Sequence, residues 1–183
     1  MNSYRSDRSR RVALGGVFTS LSVVVMLLGG IFPFATFSAP AIAGLLIVPV
    51  AIEFGLKMGY ILYIAISILS LFIVPDKEMS LIFVFLFGFY PLLKANLERI
   101  HSKIIRWSAK IGLFNGCVVC MYSLILFLFP IGAVVEEFEE MGTIFLLLLL
   151  LMGNLAFVIY DIALVKLIGL YCAKMRPKLM NCH

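Results

Sequence analysis

The sequence predicts an all-α, polytopic membrane protein: six transmembrane helices with both termini in the cytoplasm. Three observations predict it. The chain of 183 residues is 63% hydrophobic and 14% charged, with a mean hydropathy of +1.10, whereas a soluble domain is about half apolar and a quarter charged. Apolar runs recur that suffice, at ~1.5 Å rise per residue, to cross a ~30 Å hydrocarbon core. Once the N-terminus is placed inside, every lysine and arginine except Lys77 falls on the cytoplasmic side, the bias that orients short-looped membrane proteins. The length leaves room for one integral membrane domain, 1–183, and no second folded domain.

The chain opens with a polar tail holding Arg5, Arg8, Arg10 and Arg11. Span one follows at about 12–32 and is stopped by Pro33. It is longer than a signal-peptide core and is followed by more membrane sequence, so it reads as a retained span. It carries a seam of small residues, Ala13, Gly16 and Ser20, with Gly15, Thr19 and Ser22 beside it. Gly16 and Ser20 stand one turn apart, the small-x-x-x-small spacing that lets helix backbones approach closely in lipid. The seam fits either packing within this chain or docking of a separate subunit.

The connection Ile31–Ala41 is apolar and aromatic, with Phe32, Phe34 and Phe37, and fits a loop folded back into the protein or lying at the interface. Span two, 39–54, is short and interrupted by Pro49. Glu53 near its end stands four residues before Lys57, a spacing suited to an ion pair on a helix. Span three, 58–74, stops at Pro75, and Pro75-Asp76-Lys77-Glu78 reads as a polar turn. Span four, 79–93, has Gly88 and Pro91 near its exit.

Residues 94–107 read as a basic amphipathic cytoplasmic segment. Leu97, Ile100, Ile104 and Ile105 recur opposite Lys94, Arg99, Lys103 and Arg106, as expected of a helix lying on an anionic membrane surface. Trp107 stands where interfacial aromatics anchor spans. Span five, 108–129, ends at Pro130, and the following loop gathers Glu136, Glu137, Glu139 and Glu140 outside. Span six, 142–165, leads to a tail with Lys174, Arg176 and Lys178.

The net charge of +5 invites a nucleic-acid partner, but these basic residues sit in short loops and tails, where membrane topology accounts for them. The expected partner is the bilayer of the plasma membrane, and no nucleic acid. Cys117 and Cys120 form a CxxC inside an apolar span with no His, Asp or Glu nearby, so they read as packing residues and not as a metal site. His101 and His183 read as solvated. No nucleotide-binding glycine loop, HExxH motif or nucleophile constellation is present, so the chain reads as neither an enzyme nor a cofactor or metal carrier.

Intramembrane polar groups are costly unless paired or solvated, so they mark the candidate site. Asn115 in span five and Asn154 in span six fit interhelical hydrogen bonding, or a polar cavity holding a small solute. Tyr122 lies further along span five. Asp161 fits a partner for a basic residue, with Lys57, Lys110 and Lys166 as candidates, and less well a proton-linked site.

Together these features resemble the substrate-binding S components of energy-coupling factor (ECF) vitamin transporters, which are six-helix proteins of about this length with both ends cytoplasmic. In that family an Ala-x-x-x-Ala-type motif on the first helix docks on a transmembrane coupling subunit. The matching positions here are Gly16 and Ser20 in Gly16-Val17-Phe18-Thr19-Ser20-Leu21-Ser22, with Ala13 on the same seam. The run GGIFPFATFSAPAIAGLL, Gly29–Leu46, resembles the first external loop and second helix of the riboflavin-type members. The resemblance implies a subunit that binds a vitamin or similar small molecule from outside. It would work with a coupling subunit and two cytoplasmic ATPases that tip it to release substrate inward. Phe34 and Phe37 would then cap the ligand, with Tyr122, Asn154 and Asn115 as candidate polar contacts. The competing classes are a six-span scaffold protein of the cell envelope and a small proton-linked transporter using Asp161.

Overall fold

The computed structural model describes residues 2–32, 35–128 and 143–175. Almost all of the described residues are helical, and among them there is no strand. In order they form α1 (Asn2–Gly29), α2 (Ser38–Phe54), α3 (Leu56–Ile73), α4 (Lys77–Ile82), α5 (Tyr90–Leu97), α6 (Lys103–Leu128) and α7 (Thr143–Leu170). A π-helical turn, Phe83–Phe87, continues α4, and another, Tyr171–Met175, closes α7. Among the described residues, five segments are long and apolar enough to cross a membrane: Ser9–Gly29, Leu56–Ile73, Lys77–Leu97, Lys103–Ile125 and Leu147–Ala173. The chain is an all-helical, multi-pass membrane protein. Its outer faces agree, since Val17, Phe72, Val119 and Leu151 are among many large apolar side chains left exposed, as lipid-facing residues are.

At 17 residues, α2 is the short apolar helix, spanning ~25 Å at ~1.5 Å per residue. Its two prolines have different effects. Pro40 sits in the first turn, where no intrahelical N–H is needed, while Pro49 lies inside the helix and removes a ladder bond. The chain passes from α2 to α3 through Gly55 alone, at φ +89° and ψ 162°, a conformation that essentially only glycine adopts. This break falls between Glu53 and Lys57, so the continuous helix implied by their spacing is interrupted.

The chain divides into two compact units, Met1–Asn96 and Leu97–His183. The core of the first is aliphatic, with Met26, Ala43, Ile47, Ile66, Met79 and Phe83 fully enclosed. Close backbone approach makes this possible. A Cβ at Gly59 of α3 would stand 2.9 Å from the Ala51 Cβ of α2 and 2.6 Å from the Leu92 Cδ2 of α5. Buried hydroxyls are satisfied by nearby carbonyls. Ser22 Oγ lies 2.8 Å from the Phe18 oxygen, and Ser80 Oγ lies within 3.1 Å of the oxygens of Ser70 and Asp76. Ser67 Oγ is the exception among the described buried side-chain polar atoms.

The π turn has a local cause. Pro91 cannot donate to an i−4 carbonyl and its ring would crowd that group. The preceding helix shifts register instead, Gly88 N–H donating to the Phe83 oxygen five residues back at 2.7 Å. The Tyr63 hydroxyl donates to the Val84 oxygen at 2.8 Å and so satisfies a carbonyl within the turn.

Residues 94–107 do not form one amphipathic helix. α5 ends at Leu97, a turn follows, and Ser102, a favoured N-cap residue type, accepts the first bond of α6 from Arg106 N–H at 3.0 Å. Lys94 is no part of a solvated face. It is 2% exposed, with its ammonium 5.9 Å from the Tyr90 ring centroid.

Candidate functional site

The seam on α1 divides by direction. Gly15 is buried, and a Cβ there would meet Met58 and Leu62 of α3. Ser22 is fully buried, its hydroxyl 3.4 Å from the Ala43 oxygen of α2. Ala13, Gly16 and Ser20 are exposed, and a Cβ at Gly16 would meet nothing within 4 Å. Ser20 Oγ donates to the Gly16 oxygen at 2.7 Å, which satisfies the hydroxyl within its own helix and leaves that face smooth.

Of the residues expected to cap a ligand, Phe34 lies outside the described residues, as do the glutamates at 136, 137, 139 and 140. Phe37 immediately precedes α2 and is 59% exposed. Its neighbour Thr36 ties this connection to the start of α4. The Thr36 hydroxyl lies 3.4 Å from Asp76 Oδ2, while Asp76 Oδ1 caps α4 by accepting from Met79 N–H at 3.0 Å.

The other candidates belong to the second unit, where α6 and α7 run antiparallel and meet through three successive pairs. Nearest the start of α6, Lys110 Nζ and Asp161 Oδ2 stand 2.9 Å apart with side chains 4% and 5% exposed. Next, Phe114 stacks on Phe157 with ring centroids 4.8 Å apart. Beyond it, Asn115 and Asn154 form a reciprocal amide pair, each donating to the other's Oδ1 at 3.2 and 3.1 Å. Their remaining N–H groups go to the Ile111 and Leu150 oxygens at 2.9 and 2.8 Å. An amide has two donors, so both residues are saturated as donors. They retain only acceptor capacity toward a solute. Tyr122 lies two turns further along α6, half-buried.

Of the bases its position suggested, Asp161 meets Lys110. Lys110 also lies 3.7 Å from Glu98 Oε1 and 5.4 Å from the Trp107 ring centroid. Around this group opens a pocket of about 430 Å³, lined also by Arg106, Trp107, Ile162, Val165 and Lys166; Lys166 is exposed and Arg106 half-buried. In the sequence, Lys110 and Lys166 stand out as cytoplasmic bases and as partners for Asp161, not as the lining of a pocket. The signal for a pocket was the coincidence of Arg106, Trp107 and Lys110 with Asp161 and Lys166 at one end of two antiparallel spans.

Cys117 is half-buried and Cys120 exposed, both as free thiols, and among the described residues no cluster could hold a metal ion. No protein-family model, curated protein or solved structure matches this chain.

Proposed function

We propose that this chain is the substrate-binding membrane subunit of an ECF-type importer, capturing a vitamin or similar small molecule for uptake. In this reading it crosses the plasma membrane six times, with α2 as the short span and both termini cytoplasmic. The distribution of lysine and arginine supports that orientation. The observation that carries the proposal is the outward face of α1. Where Gly15 and Ser22 serve packing inside the first unit, Ala13, Gly16 and Ser20 stay exposed with open space at Gly16. Such a smooth face suits a second membrane helix, here that of a coupling subunit working with two cytoplasmic ATPases. Phe37 is available to cap a ligand, and the Asn115 and Asn154 oxygens and Tyr122 remain as polar contacts.

Purification from the native membrane in mild detergent, followed by mass spectrometry of proteins and retained small molecules, tests this. Co-purification of a multispan subunit and two ATPases, lost on Gly16→Leu or Ser20→Leu, is expected. Recovery of envelope-assembly proteins without ATPase or ligand would overturn it. That outcome favours the second reading, a cell-envelope scaffold, which the self-saturated Asn115–Asn154 pair supports because it needs no solute.

A further inference from the structure

The pocket at the charged end of α6 and α7 has a chemistry that the import reading does not use. Its inner wall is fixed by Lys110, whose ammonium is held by Asp161 at 2.9 Å and approached by Glu98 at 3.7 Å. Those acidic groups face Lys110 and leave the two rim cations, Arg106 and Lys166, without an ion pair among the described residues. With three basic and two acidic side chains lining it, the pocket is net positive. The rest of the lining is apolar. Trp107, Ile162 and Val165 are 37%, 47% and 50% exposed, and Ile111, one turn beyond Trp107 on α6, is 40% exposed. A cationic rim joined to an exposed apolar track suits a molecule with an anionic head and hydrocarbon chains. Basic pockets between membrane helices recognise such headgroups, and an indole at this depth sits at the headgroup level.

We infer that this pocket binds an anionic phospholipid, its phosphate held between Arg106 and Lys166 and its chains lying along Ile162, Val165 and Ile111. The occupant is a structural lipid of the α6–α7 pair, whatever the chain's transported substrate.

The test is native mass spectrometry of the full chain released from vesicles containing equal phosphatidylcholine and phosphatidylglycerol. Retained lipid is expected to be enriched in phosphatidylglycerol. The enrichment should fall roughly fivefold for each of Arg106→Gln and Lys166→Gln, while Lys57→Gln, an exposed base of the first unit, leaves it unchanged. Val165→Trp fills the pocket without altering charge and should abolish the enrichment. Retained lipid matching the vesicle composition would overturn the inference, as would enrichment that survives Val165→Trp or the double neutralisation. Displacement of the lipid by inorganic phosphate, but not by chloride of matched ionic strength, would assign the pocket to a free phosphate and equally overturn it.

Discussion

The two units of this chain solve the same problem, holding helices together in lipid, by different means. The first uses size. Small residues bring backbones close, an aliphatic core fills the space between them, and hydroxyls turn back to nearby carbonyls. The second uses polarity and aromatic stacking, with a buried ion pair, a ring pair and an amide pair spaced along two antiparallel helices. Where lipid removes the hydrophobic drive between helices, both routes are open, but they differ in how they fail. A packed interface loses energy when something is added. A polar interface loses it when one partner is taken away.

Removing one partner of the ion pair should have the largest effect. Lys110→Ala removes the lysine that pairs with the buried Asp161 carboxylate, at a cost of about 3–5 kcal/mol, read as a fall in the thermal unfolding midpoint in detergent. The double replacement Lys110→Met with Asp161→Leu should recover most of that loss. If it does not, the pair does more than hold the helices. In the first unit the corresponding break is an addition. Gly59→Leu forces a side chain into Ala51 and Leu92 and should cost about 1–3 kcal/mol, detectable as faster proteolysis of the α2–α3 region.

The amide pair is a finer instrument. Asn115→Ala and Asn154→Ala should each destabilise by about 0.6 kcal/mol, with an upper range of about 1.7 kcal/mol. A double-mutant cycle should show a coupling of similar size. An absent coupling would mean that the two amides serve something other than each other. The smallest expected change is the stability of Gly16→Leu, within about 0.5 kcal/mol of the parent, because its Cβ points into open space. The same substitution is expected to abolish partner recovery, so the contrast separates a docking face from a packing face.

Five long apolar helices were legible because a bilayer demands long apolar runs and the sequence supplies them; α2, read as a span, is a shorter apolar helix. Asp161 was legible as a group that needs a base, and the structure selects Lys110, which α6 places opposite it. The directions within the α1 seam were not legible. Gly15 and Gly16 are chemically identical neighbours, and only α3 beside the first distinguishes them. The break after Leu97 was also hidden, because the apolar spacing of Leu97, Ile100, Ile104 and Ile105 continues through the turn as if the helix did. The burial of Lys94 was masked by the bases around it in sequence, which made it one more member of a solvated face. Phe34 and Phe37 follow from the family resemblance alone, whereas Tyr122 and the two asparagines stand out by residue type and position within their spans. Asn115 and Asn154 are drawn together by direct hydrogen bonds.

The single-residue joint at Gly55 bears on how the protein is made. A 17-residue helix with an internal proline and a glutamate near its end is a marginal substrate for the translocon on its own, since each ionisable residue opposes insertion. With one glycine between them, α2 and the 18 apolar-rich residues of α3 emerge from the ribosome almost together, and Gly59 lets the second close tightly on the first. The two are therefore expected to partition into the bilayer as one folded hairpin. Fused to a soluble carrier without α1, residues 38–55 alone should stay extractable by alkali, and residues 38–73 should be held fast.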